Sequence, residues 1–151
     1  MITEWLTPEK INIVNSVKDW KEAVILCSQP LLLQNFISPE YIDVIFTTHE
    51  ELGPYYVIAP GLALPHARPE QGVIKTGLSL LHVKEGVFFG SHANDPVYVI
   101  IMMCAISGNE HINLISSLAE IFSDEDKLSR LINASSLESI DKVITIKTGY
   151  K

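Results

Sequence analysis

Val97-Tyr-Val-Ile-Ile-Met-Met-Cys-Ala-Ile106 is the stretch whose reading decides the fold. Successive side chains of a strand point to opposite faces of a sheet, so a strand apolar at nearly every position must be covered on both sides. A membrane helix needs about 20 consecutive apolar residues, and this run is too short and too isolated to be one. It is therefore read as the central strand of a layered domain, entered from the turn-starting pair Asp95-Pro96.

Working outward, the chain alternates strands and helices. Downstream, a helix is expected from about Glu110 to Phe122, with Ile112, Ile115, Leu118, Ala119 and Phe122 on one side. Ser123-Asp-Glu-Asp126 reads as a cap with acidic residues in the first turn of a further helix, and Ser136 before Leu137-Glu138 as another. Upstream, Tyr55–Ala59 and Val73–Val83 read as strands, with Val87-Phe-Phe89 as a shorter third.

Ser38-Pro39 starts a helix that Gly53-Pro54 closes. Asp19 starts an earlier one, with Trp20, Ala23, Val24, Cys27 and Leu31 near helical spacing, and Leu31-Leu32-Leu33 is expected to pack into the core. Pro30 removes a ladder hydrogen bond and is expected to kink or restart that helix. Ile11–Val14 is the opening strand. These elements give an α/β fold: a single-domain layered sandwich over residues 1–151, with a mixed, mostly parallel central sheet flanked by helices on both faces.

Composition narrows the function. An apolar content of 47% in 151 residues supports a sizeable core. A net charge of −7 excludes a nucleic-acid binder, which needs a basic face, and suits basic protein partners instead. Cys27 and Cys104 lack paired spacing and sit among apolar neighbours, as reduced core thiols do. Met1-Ile-Thr-Glu-Trp has neither a basic start nor a leading apolar run, so a cytoplasmic chain without direct membrane insertion is expected. His49, His66, His82 and His92 show no zinc-ligand spacing, and no Gly-rich phosphate loop is present, so neither a metal nor a nucleotide cofactor is expected.

The candidate nucleophile lies in Ala59-Pro-Gly-Leu-Ala-Leu-Pro-His-Ala-Arg-Pro-Glu70. Pro65 has a fixed φ and biases Leu64 toward an extended backbone, while Pro69 stiffens the exit, so His66 is reached in a restricted geometry. A neutral imidazole held this way offers a ring-nitrogen lone pair at pH 7. Two residues on, Arg68 is either a planar clamp for phosphoryl oxygens or a solvated surface cation. His111 stands near a helix start, either as a donor to an anion bound there or as an exposed first-turn residue.

Gly61-Leu-Ala-Leu-Pro-His66 resembles the phosphorylation motif of enzyme IIA components of the bacterial phosphoenolpyruvate-dependent sugar phosphotransferase system, in the mannitol/fructose branch. Asn109-Glu-His111-Ile-Asn-Leu-Ile-Ser-Ser-Leu118 resembles the helix start at which that family places a second histidine facing the first. Gly53-Pro-Tyr-Tyr56 and Pro65-His-Ala-Arg-Pro69 are most similar to the ascorbate-type subgroup.

The resemblance implies a phosphoryl carrier that accepts from the histidine phosphocarrier HPr on His66 and passes the group to a cysteine of enzyme IIB. The membrane permease, enzyme IIC, would be served only indirectly. The alternative is a regulatory module of the same fold, whose phosphorylation at His66 controls a partner without sugar transport. The resemblance further places His49-Glu50 where relatives carry Arg-Glu beside the active site, and Asp95 at an acidic rim position. The His49 departure matters, because an imidazole is only partly charged at pH 7.

Overall fold

The computed structural model describes residues 2–145; Met1 and residues 146–151 of the expected 1–151 domain lie outside them. Its centre is β5 (Val97–Cys104), in which Ile100, Met102 and Cys104 enter one core while Val99, Ile101 and Met103 enter another. The apolar run thus does what its composition requires, since period-two alternation supplies both faces.

The sheet order is β1-β4-β5-β3-β2. Its other strands are β1 (Ile11–Val14), β2 (Val57–Ala59), β3 (Leu62–Ala63) and β4 (Gly77–Val87). The sheet is mixed, as expected, although parallel pairs do not predominate: β1 with β4 and β3 with β5 are parallel, β4 with β5 and β2 with β3 antiparallel. Consecutive strands with short connections return as hairpins, and residues 60–61 and 88–96 are such connections.

On one face lie α1 (Trp20–Leu33) and α2 (Pro39–Leu52); on the other, α3 (Gly108–Phe122), α4 (Glu125–Ile132) and α5 (Leu137–Thr145). Among the described residues no helix is long and apolar enough to cross a membrane. Asp19 caps α1 by accepting from Glu22 N–H at 2.9 Å, and Asp124 caps α4. The α4 cap is therefore one residue past Ser123, which closes α3 instead. Both thiols are buried; burial raises Cys27 to about 11 and Cys104 to about 12, which keeps them inert.

Four local expectations are corrected by packing. First, α1 runs through Pro30 without restarting. Pro30 lies in the last turn, where a single lost ladder bond is outweighed by the contacts of Cys27 and Leu31 with the sheet. Second, of the three leucines that follow, Leu31 is fully buried but Leu33 is 80% exposed. Third, Val73 to Thr76 precede β4, and Val87 ends that strand instead of opening another. Fourth, α3 buries Leu114, Leu118 and Ile121, leaving Ile112 and Ile115 exposed. A second apolar stripe on α3 therefore faces outward.

Candidate functional site

The site lies beyond the carboxyl ends of β3 and β5, where parallel strands leave a crevice between the loops that follow them. β3 is only two residues long, so the chain departs from the sheet at Leu64 and runs through Pro65 to His66. The entry is set by Gly61, whose φ of +83° favours glycine and whose added Cβ would meet Ile132 Cδ1 at 3.0 Å. Beyond β3, Met103 N–H donates to the Pro65 carbonyl at 3.1 Å, and the Met103 carbonyl accepts from the Tyr41 hydroxyl. These bonds replace the missing ladder.

His66 is partly buried, and its Nδ1 lies 2.7 Å from the Leu64 carbonyl. A carbonyl can only accept, so Nδ1 carries the proton and, in the neutral ring, Nε2 keeps the lone pair. Burial lowers the imidazole pKa; the Leu64 carbonyl opposes that shift and the nearby His111 adds to it. The ring is therefore a neutral base at pH 7.

His111 lies in the first turns of α3, with its ring centroid 5.6 Å from that of His66. Ser107 caps this helix by accepting from Glu110 N–H at 3.2 Å. His66, Arg68, His111 and Gly108 line one groove of about 690 Å³, with Tyr55, Thr48 and Gln71 on its walls. A cation, a second imidazole and a helix N-terminus thus converge beside a neutral imidazole. Arg68 is exposed, and its guanidinium has no bonding partner among the described residues. A second, apolar groove of about 310 Å³ is lined by Ile58, Leu64, Ile115, Leu118, Ala119 and Phe122, and so takes in Ile115 of the outward stripe of α3.

The family model for the phosphoenolpyruvate-dependent sugar phosphotransferase system, EIIA 2, matches residues 4–147. This chain belongs to that family. The chain is 37% identical over 144 residues to the mannitol-specific cryptic phosphotransferase enzyme IIA component of Escherichia coli (strain K12), covering 95% of this chain and 97% of the relative. The solution structure of that E. coli protein superposes with a TM-score of 0.89. The chain is 40% identical over 124 residues to the ascorbate-specific EIIA component of E. coli (strain K12), covering 82% and 80% of the two chains. It also resembles, at 28% identity and TM-score 0.76 over 90% of this chain and 94% of the other, a chain in the E. coli complex of mannitol enzyme IIA with phosphorylated enzyme IIB.

Three further residues anticipated at the site of this EIIA domain do not line the groove. His49 is 7% exposed, its ring stacked on Trp20 at a centroid distance of 3.7 Å. Its Nε2–H donates to the Phe89 carbonyl at 3.1 Å and its Nδ1 accepts from the Tyr56 hydroxyl at 2.6 Å. Both nitrogens are engaged, which leaves none for a phosphoryl oxygen. Glu50 is exposed and paired with Lys21 at 2.8 Å. The Asp95 carboxylate accepts backbone N–H groups from Phe89, Gly90 and Ser91 at 2.8–3.1 Å, which ties down the loop after β4.

His49 is linked to His66 through a chain of hydrogen bonds. It holds the side chain of Tyr56, whose carbonyl accepts from Leu64 N–H at 2.9 Å, and the Leu64 carbonyl in turn holds His66.

Burial lowers the pKa of both His49 and His82, and His82 Nε2 donates to the Ile132 carbonyl at 2.9 Å. The unfolded chain, with histidines near 6.5, binds these protons first. Stability should therefore be flat above about pH 6.5 and fall as the pH drops below it toward the depressed folded values. Urea unfolding at pH 7.5 and 5.5 reads this, and His49→Phe should lessen the dependence, with His82 and the likewise lowered His66 supplying the rest. An identical midpoint at both pH values would show that these imidazoles are not held neutral.

Proposed function

We propose that this chain, as a single EIIA domain over residues 1–151, is a cytoplasmic phosphoryl carrier. It accepts from phospho-HPr on His66 and donates to a cysteine of its cognate enzyme IIB, and so serves the membrane permease indirectly. The observation that carries this reading is the tautomer of His66. Nδ1–H is engaged by Leu64, so the nucleophile is Nε2 of a ring that opens into the groove with Arg68 and His111.

In the forward step the Nε2 lone pair attacks phosphorus as the N–P bond to the donor imidazole breaks; Nδ1 keeps its proton. In the onward step the enzyme IIB thiolate attacks, and Nε2 leaves with its lone pair restored. Charge spreads over the phosphoryl oxygens in a loose transition state, so catalysis is largely placement of donors. Arg68, His111 and the α3 N-terminus, which line the groove, would supply them. His49 is assigned to support of the His66 segment, Asp95 to support of the loop after β4, and Glu50 to the surface. Exposed Leu52 on the His66 groove, with exposed Ile58 and Ile115 on the second, apolar groove, would dock both protein partners and keep water from the N–P bond.

The proposal is tested by incubation with phosphoenolpyruvate, enzyme I and HPr, read by intact mass. One acid-labile phosphoryl group is expected, and no gain in mass would refute the carrier reading. His111→Ala should still accept the group but transfer more slowly, since loss of one such donor costs about 2.7–4 kcal/mol, roughly 100- to 1,000-fold. His111→Gln keeps a donor of similar reach and should recover part of the rate. Rapid-quench transfer from HPr and onward to enzyme IIB measures this, and wild-type rates for His111→Ala in both steps would remove His111 from the mechanism.

A further inference from the structure

The peptide unit that joins His66 to Ala67 is gripped at both polar ends by tyrosine hydroxyls. Its carbonyl accepts from Tyr55 at 3.1 Å, and its N–H donates to Tyr41 at 2.9 Å. The two grips differ in kind. Tyr41 is fully buried and belongs to the core, whereas Tyr55 is half-exposed on the groove wall, its ring edge-on to the His66 imidazole at 6.2 Å and 72°. Tyr55 reaches this position because Gly53, at φ +86°, ends α2 and turns the chain, and Tyr55 N–H then donates to the Gly53 carbonyl at 2.9 Å.

We propose that Tyr55 is a positioning residue for phosphoryl transfer: its hydroxyl fixes the peptide after His66, and thereby the direction of the imidazole. This deepens the carrier reading and rests on it. Proline fixes φ at residue 65, the bond from Met103 N–H to the Pro65 carbonyl holds the 65–66 peptide, and the pinned 66–67 peptide then holds the backbone torsions of residue 66. Only the side-chain torsions of His66 are then free, and the bond to the Leu64 carbonyl sets them. Release of the carbonyl lets ψ at residue 66 drift, the Nδ1–H bond loosen and Nε2 leave the line of attack. An exposed hydrogen bond adds little to folding. Removal of the Tyr55 hydroxyl should therefore spare stability and affect placement.

Tyr55→Phe keeps the ring and deletes the hydroxyl. Two readouts are taken with its thermal melt: the rapid-quench rate of transfer from phospho-HPr, and the ¹⁵N chemical shifts of the two His66 ring nitrogens, which report the tautomer without any transfer. The expected result is an unchanged melt, ring shifts moved from a single Nδ1–H tautomer toward a mixture, and a rate lower by about tenfold, within the hundredfold that ångström-scale misplacement costs. Unmoved ring shifts overturn the proposal whatever the rate does, and so does a wild-type rate with moved shifts. If the wild-type protein takes up no phosphoryl group, the carrier reading fails and the proposed role in transfer falls with it. The ring shifts then still show whether Tyr55 orients His66, so the two failures are distinguishable.

Discussion

His66→Ala protein incubated with phosphoenolpyruvate, enzyme I and HPr should remain at its unmodified mass, whereas wild-type and His92→Ala proteins each gain one acid-labile phosphoryl group. The loss should be complete, because no neighbouring group duplicates the chemistry. Among the described residues, His49 and His82 are buried and each donates Nε2–H to a backbone carbonyl, and neither lines the His66 groove. His111 shares the groove but sits 5.6 Å from His66 between ring centroids, close enough to assist at one phosphorus. His92 is exposed outside the groove, which makes its replacement a fair control. Intact mass before and after acid treatment decides the matter. A phosphorylated His66→Ala protein would move the acceptor to another residue.

Tyr41→Phe should cost about 2–4 kcal/mol of stability. The hydroxyl bridges Ala67 N–H and the Met103 carbonyl in the region where β3 has stopped and no ladder partner is available. Phenylalanine keeps the ring in its pocket but leaves unpaired the buried Met103 carbonyl, at about 1–3 kcal/mol, and the half-buried Ala67 N–H, at about 1 kcal/mol. Burial also raises the Tyr41 pKa far above its ordinary value, as expected of a hydroxyl that stays neutral and donates. Urea unfolding measures the loss. A midpoint within experimental error of wild type would mean that the hydroxyl does not tie the His66 loop to β5.

Much of this architecture is legible in the sequence, and the reasons are local. The β5 run identifies itself because a strand covered on both faces has no polar positions to disguise it. Asp19 and Ser38-Pro39 mark helix starts, as their backbone preferences require, and Pro65 and Pro69 mark the constrained loop around His66. What escapes the sequence depends on contacts made across the chain. β3 has two residues and exists only through its pairing with β5 and β2, so it leaves no periodic signal.

His49 is placed beside the active site by resemblance alone, and only the stacking of Trp20, from another helix, shows that its ring is buried and engaged elsewhere. The outward stripe of α3 has the same spacing as its buried one, and only the sheet beneath decides between them. Tyr41 and Tyr55 carry no motif that distinguishes a hydroxyl aimed at the His66 peptide from one aimed at solvent. Both could have been suspected only as polar-tipped aromatics flanking the loop.

The most direct test of the central claim is the position of the phosphoryl group on the ring. Protein labelled with ¹⁵N at histidine, phosphorylated through HPr and kept at alkaline pH, can be followed by ¹⁵N and ³¹P NMR with the His66 signals assigned. The tautomer set by Leu64 requires phosphorus coupled to Nε2 of His66, with Nδ1 still protonated. Phosphorus on Nδ1 of His66, or on any other histidine, would contradict it.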